Sequence, residues 1–299
     1  MKTTRTKQFL FLAAFCCMAA SVAAQTVDVT LQCGQSYTIN NTAPATDAIG
    51  LTYRWLENGS TVTGSVVNYT VPATKSVGIY TYIRQANSEG CADWQSSNAF
   101  TVEVKNKEGI DGVCLGGVMW AKYNVNEPGN FAASPGELGM LYKWDSLRYW
   151  PVNGPFTGWN DTPSPNQSWS SETNPCPPSW RVPTSKEWTN LVNATPRNAT
   201  LDECGKSVIA APENWNVAGR WLGPDARMAN AIDQARALFL PRGSDTQLAD
   251  DRWALSTTYW ADAARAMPLI NNYSLLWKAG CEPGAWHATN LSLVRCVHD

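Results

Sequence analysis

Few residues of this 299-residue chain carry reactive chemistry, and their spacing limits what they can do. With two His in the whole chain, a His-built metal centre or proton relay is close to excluded. His287 follows Cys281 by six positions, yet no acidic residue is placed to complete a nucleophile, base and orienting group. A lone Cys in an exported chain is more often disulfide-bonded than reactive. Glu203, Asp245, Asp250 and Asp251 offer carboxylates, but nothing sets two of them at glycosidase separation, and Asp250-Asp251 reads as a solvated turn. Oxygen ligands do not gather in the number, about 6–8, that calcium takes. The chain therefore reads as non-catalytic, with no cofactor and no metal.

Indoles are the chemistry that remains. There are 15 Trp, and the C–H faces of sugar rings stack on indole. Trp150, Trp159, Trp169, Trp277 and Trp286 fall in loop-like stretches and could form such a platform. Trp is also usual core material, so packing stands beside stacking as the explanation for each. Trp159 and Trp169 are the best ligand candidates, because their Pro, Asn and Ser neighbours resist burial. Asn160 and Asp161 add polar atoms beside Trp159, and Trp286 is a further candidate.

The elements that must position these residues begin after an address. Lys2, Arg5 and Lys7, the apolar run Phe9–Ala20 and the small residues Val22-Ala23-Ala24 follow the order of a secretory signal peptide, residues 1–24, with cleavage before Gln25. No later stretch is apolar enough over sufficient length for a transmembrane helix. Three of the 23 basic residues leave with the signal, so 20 stand against 25 acidic ones and the net charge moves from −2 to −5. Charged residues are 16% of the chain, a balance that excludes an extended basic surface for nucleic acid. Two of nine Cys also leave, and the remaining seven are Cys33, Cys91, Cys114, Cys176, Cys204, Cys281 and Cys296. Export favours disulfides, and an odd count leaves at least one thiol unpaired within the chain.

Residues 25–104 alternate apolar and polar side chains at strand period over Thr26–Cys33, Leu51–Leu56, Val77–Gln85 and Ala99–Val104. Asn58-Gly59 suits the positive φ of a tight hairpin. The stretches Tyr53-Arg54-Trp55-Leu56-Glu57-Asn58-Gly59 and Gly78-Ile79-Tyr80-Thr81-Tyr82 resemble an immunoglobulin-like β-sandwich. The resemblance makes Trp55 the core indole and Tyr80 a corner tyrosine. Tyr82 stands where that fold's second Cys would sit, and Cys91 lies farther on near a turn, so the expected bond is Cys33–Cys91, not the standard inter-sheet one. A sandwich of another topology is the alternative. Residues 105–109 are polar and read as a linker.

Residues 110–299 hold thirteen of the Trp. Asn153–Pro178 is a long Pro-rich excursion, of the kind that is either functional or stapled by its own side chains. Thr184 to Glu187 has capping-box spacing ahead of Trp188, Leu191 and Val192, which predicts a helix, and Asp225–Ala237 is a weaker helix candidate. Short strands are predicted over Val118–Tyr123, Leu138–Trp144, Ala237–Pro241, Thr258–Ala261, Ser274–Lys278 and Leu291–Val297.

Six blocks in order carry a second resemblance: Val118-Met119-Trp120-Ala121-Lys122-Tyr123-Asn124-Val125, Gly139-Met140-Leu141-Tyr142-Lys143-Trp144, Cys176-Pro177-Pro178-Ser179-Trp180-Arg181-Val182-Pro183-Thr184 with Glu187-Trp188, Leu238-Phe239-Leu240-Pro241-Arg242-Gly243, Tyr259-Trp260, and Ser292-Leu293-Val294-Arg295-Cys296-Val297. Together they resemble the Fibrobacter succinogenes major paralogous domain family, common in exported proteins of Bacteroidetes and Fibrobacteres. Ala261-Asp262 departs from the paired serines that follow Tyr-Trp in that family. The resemblance implies a C-type-lectin-like fold: an α+β domain whose first and last strands pair, with helices flanking a small twisted sheet and ligands held on long loops. It also implies a Cys176–Cys296 disulfide, with the pairing of Cys114, Cys204 and Cys281 open.

Lectins of that fold bind calcium and sugar through Glu-Pro-Asn and Trp-Asn-Asp. Glu127-Pro128-Gly129 and Trp159-Asn160-Asp161 look similar but precede the helix block, and no Trp-Asn-Asp follows Glu282-Pro283-Gly284. Pro-Gly is turn chemistry, so no calcium site is assigned. The related formylglycine-generating enzymes need a close pair of reactive cysteines, whereas Cys281 alone precedes Cys296. The expectation is thus a multidomain protein, an N-terminal all-β immunoglobulin-like sandwich followed by a C-terminal α+β C-type-lectin-like domain over residues 110–299. Its expected role is non-catalytic binding or adhesion at the bacterial cell surface, recognising glycan or a surface protein through loops 126–175 and 242–290. A structural or fimbria-associated assembly subunit is the alternative, and a formylglycine-generating-type enzyme is the third.

Overall fold

The computed structural model describes residues 26–40, 51–64, 66–88, 93–160, 162, 169–195, 197–198, 203–204, 206–208, 219–223, 236–241, 243–244, 246–249, 252–261, 265–268, 284–285 and 290–299. The expected signal peptide, Cys91, Asp161, Cys281 and Trp286 lie outside the described residues, as does nearly all of the helix candidate 225–237.

The described residues of the first part are all β. Its strands are Val29–Gln32 (β1), Tyr37–Ile39 (β2), Leu51–Glu57 (β3), Ser60–Gly64 (β4), Tyr69–Val71 (β5), Gly78–Ser88 (β6), Gln95–Ser96 (β7) and Phe100–Lys105 (β8). One sheet has the order β1-β8-β6-β3-β4 with β7 on β6, and β2 pairs with β5 separately. β1 runs parallel to β8, while β3, β4, β6 and β8 pair antiparallel. Strand alternation puts Leu31, Trp55, Tyr82, Val102 and Val104 into a shared core with Ile39 and Val71 of the smaller sheet. Asn58 and Gly59 take φ of 48° and 83°, the paired left-handed conformation that closes the β3–β4 hairpin. Tyr80 donates its hydroxyl to the Ser76 carbonyl at 2.9 Å.

The second part follows as Gly112–Leu115 (β9), Val118–Asn124 (β10), Met140–Lys143 (β11), Tyr149–Pro151 (β12), Trp180–Arg181 (β13), the helix Ser185–Asn193 (α1), Arg197–Asn198 (β14), Glu203–Cys204 (β15), Lys206–Val208 (β16), Gly219–Leu222 (β17), Leu238–Pro241 (β18), Thr246–Ala249 (β19), Arg252–Trp260 (β20), Arg265–Pro268 (β21), Gly284–Ala285 (β22), Leu291–Leu293 (β23) and Arg295–His298 (β24). Two sheets dominate it, β13-β24-β10-β9 and β12-β11-β23-β20-β21-β22 with β19 on β20. The strand that follows the first hairpin turn thereby pairs with the one that ends the chain, Trp120 opposite Val297.

This architecture overturns the α+β expectation. Sixteen strands and one nine-residue helix are present among the described residues of 110–299, with no set of helices flanking a sheet. The physical reason is local. The apolar runs are short, rich in Val, Leu, Tyr and Trp, and broken by Gly and Pro, so they satisfy their backbone by pairing rather than by coiling. A capping box is what lets α1 form: the Thr184 hydroxyl accepts from Glu187 N, and the Glu187 carboxylate accepts from Thr184 N. α1 buries Trp188, Leu191 and Val192 against Trp120, Leu141 and Leu293. The Trp120 and Trp188 rings lie 4.6 Å apart.

Two disulfides are present among the described residues. Cys176 bonds to Cys296, tying the segment before β13 to β24. Cys33 bonds to Cys114, which corrects the expected Cys33–Cys91 pair. The register explains the choice: β1 ends beside Lys105, Cys33 N donates to the Lys105 carbonyl at 3.0 Å, and the chain then turns into β9, bringing Cys114 alongside. Cys114 and Met119 accordingly join the core of the first part. The segment expected as a linker is bonded within this junction, with Cys114 N donating to Asn106 Oδ1 at 2.7 Å. At the β9–β10 turn Gly117 has φ of 88°, and a Cβ there would sit 2.4 Å from the Ala73 carbonyl oxygen. A side chain at that position would push the two parts apart.

Candidate functional site

The long excursion between β12 and β13 is held by three consecutive residues at the end of β11. Lys143, Trp144 and Asp145 are all buried, and each grips a different piece of it. Lys143 Nζ donates to Asn160 Oδ1 at 2.7 Å and to the carbonyl oxygens of Asn160 and Thr162 at 3.4 and 2.5 Å. Trp144 meets Trp169 edge-on at 5.4 Å and Trp260 at 5.4 Å. Asp145, at φ 49°, accepts from Ser170 N at 3.3 Å and from the Thr173 hydroxyl. Ser170 and Thr173 close the turn with a 2.8 Å hydroxyl pair. Trp150 adds a fourth tie, donating its indole N–H to the Thr157 carbonyl at 2.8 Å. The described parts of the excursion are thus stapled to the sheet.

The predicted site residues separate. Trp159 is half-buried against the large core with Val152 and Phe156, and Asn160 spends its side-chain oxygen on Lys143. Asp161 and Trp286 lie outside the described residues. Trp169 is also half-buried, with its inner side on Trp144, and its outer side walls a cleft of about 390 Å³. The cleft is completed by Ser170, Ser171, Asn174, Arg181, Val182, Thr184 and Asp299. Its size is that of a small-molecule site. The Trp169 N–H is enclosed and finds no acceptor among the described residues, unlike the indoles of Trp55, Trp120, Trp150, Trp188 and Trp260, which each donate to a backbone carbonyl.

Arg181 is the cation of this cleft. Its guanidinium donates Nη1 and Nη2 to the two Glu187 oxygens at 2.9 and 2.7 Å, and Nε faces Asp299 Oδ1 at 3.1 Å. Burial opposes the ionisation of Glu187, but Arg181 and the Thr184 backbone N–H outweigh it and hold the carboxyl below its ordinary value. Asn174 is a framework residue, donating to the Trp180 carbonyl at 2.8 Å and accepting from Cys176 N at 3.2 Å. The residues missed by sequence reasoning are Lys143, Asp145, Arg181 and Asp299. A signal for the first two existed: charges flanking Trp144 inside an otherwise apolar block.

A second polar cluster is fully buried. Arg295 donates to the carbonyls of Ala121 and Phe239 at 3.0 Å each. Tyr259 donates to the Pro241 carbonyl at 2.7 Å and accepts from Asn124 at 3.2 Å. Burial pulls Arg295 down to about 10, against the nearby Tyr259 oxygen. This knot fastens β10, β18, β20 and β24 and offers no surface to a ligand. Among the described residues no group of three or more His, Cys, Asp or Glu is disposed to hold a metal. None of their helices is long and apolar enough to cross a membrane. Comparison with protein-family models, with curated proteins and with solved structures finds no match.

Proposed function

We propose that the chain is an exported, non-catalytic recognition protein of the bacterial cell surface, and that it binds glycan through the excursion between β12 and β13. The observation that carries this reading is the half-buried Trp169, fixed from behind by Trp144 and Asp145 and walling a cleft with polar side chains around it. A ligand platform needs an aromatic face that is held rigidly and left open on one side, since ordering a mobile loop on binding costs affinity. The signal-like residues 1–24 and the two disulfides support export. The six ordered sequence blocks support kinship of residues 114–299 with the Fibrobacter succinogenes major paralogous domain family.

Printed glycans probed with the purified chain test the reading. Binding that weakens on Trp169→Ala and persists on Trp159→Phe is the expected result. Absence of binding to every glycan, with the protein folded, would remove glycan recognition as the function.

A further inference from the structure

We infer that the cleft beside Trp169 takes an uncharged glycan, a neutral pyranose unit stacked on the indole, in preference to an acidic one. The inference rests on the glycan reading and adds the class of sugar.

It follows from how the charges around the cleft are already spent. From β13 comes Arg181, from α1 comes Glu187, and from the chain end comes Asp299. The guanidinium is clamped by both oxygens of Glu187 and faces Asp299 through Nε. Lys107 approaches from the other side and donates to the Asp299 carbonyl at 3.3 Å. His298 turns its ring onto Trp180 at 5.1 Å. Asp145 lies beneath the 170–173 turn and is engaged by it.

A carboxylate or sulfate on a sugar would need Arg181. Nε already faces Asp299 and Nη1 also donates to the Val182 carbonyl at 3.3 Å, so an anion held by both Nη1 and Nη2 would have to displace Glu187. That carboxylate also accepts from Thr184 N at 2.7 Å, so its loss would undo the helix cap. The incoming anion would meet Asp299 as well, whose side chain is 62% exposed at the mouth, and like charges repel there. A neutral sugar breaks none of these pairs. Its apolar face lies on Trp169, and its hydroxyls donate to the Asp299 carboxylate and exchange hydrogen bonds with the exposed Ser171 hydroxyl.

The test is a panel of neutral oligosaccharides and of uronate- or sulfate-bearing ones, titrated against the whole exported chain at low and at high salt. Neutral sugars are expected to bind with little salt dependence. Trp169→Ala should weaken that binding by about tenfold or more. Asp299→Asn, at an exposed position whose change leaves the core untouched, should weaken it several-fold. Acidic sugars that bind more tightly than neutral ones, in a salt-sensitive way and dependent on Trp169, would overturn the class while leaving glycan recognition standing. Neutral sugars bound equally well by both variants would overturn this cleft as the site. A panel with no binding at all would remove the underlying reading instead.

Discussion

Asp145→Asn isolates the part of the site that positions Trp169. Asn tolerates the left-handed backbone that Asp145 adopts at φ 49°, so the substitution removes charge without adding strain. What it weakens is a pair of charge-assisted bonds, from Ser170 N at 3.3 Å and from the Thr173 hydroxyl. A bond to a charged acceptor contributes about 1 kcal/mol more than a neutral one, so two of them amount to about 2 kcal/mol. The loss falls on the 169–174 turn rather than on the sheets, because Trp144, Trp260 and Tyr142 keep their packing. Amide hydrogen exchange should therefore quicken about 30-fold over residues 169–175, with β10 and β24 unchanged. Ligand binding at the cleft should weaken in step, since the indole must be ordered again before it can stack. Unchanged exchange in this segment would refute the role assigned to Asp145. So would an equal increase across β10 and β24, which would mean that the carboxylate supports the whole fold and not the loop.

Removing Cys176–Cys296 by paired serines should lower unfolding free energy by about 5 kcal/mol in the chain-entropy account for a separation of 120 residues, and removing Cys33–Cys114 by about 4.5 kcal/mol for a separation of 81, both read from denaturant midpoints. The Cys33–Cys114 variant should in addition expose the backbone amides of Met119 and of position 114 to exchange, since that bond seals the junction of the two parts; full protection there would contradict the clamp. For Glu187 the folded-state value is lowered from 4.5, so its contribution to stability is complete above about pH 4.5 and is lost as pH falls through the lower, folded value. Thermal midpoints should accordingly drop less steeply with acid in Glu187→Gln than in the parent chain; parallel curves would show that the Arg181 pair does not govern this carboxyl.

Strand positions were largely legible because a half-buried strand writes its period into the sequence. Val29, Leu31 and the Tyr53–Glu57 run gave β1 and β3, and Asn58-Gly59 named the hairpin between β3 and β4. Thr184 and Glu187 similarly named the start of α1, since capping is a four-residue signal. β2, β5 and β12 were not legible, being three residues long with one buried side chain in each. The partner of Cys33 was not legible either. It depends on the parallel register of β1 with β8 and on the tight turn into β9, which are pairings between distant segments. The α+β expectation came from resemblance, and the local residues of this chain support strands in its place.

The site illustrates why loop chemistry is harder to read than core chemistry. Trp159 and Trp169 share the neighbours that suggest exposure, Asn, Asp and Pro around one and Ser around the other. Composition treats them alike, yet Trp159 packs on the large core, whereas Trp169 packs on the smaller core around Trp144 and also walls the cleft. What separates them is the spacing of two charges on β11 and its end. Lys143 holds the chain just after Trp159, drawing that indole inward, and Asp145 holds the chain just after Trp169, so that the ring rests edge-on against Trp144 with its outer side left open. A strand end of alternating cation, indole and anion thus assigns the two loop indoles to different tasks. The assignment lives in contacts across 17 and 25 residues of sequence, beyond the reach of any local pattern.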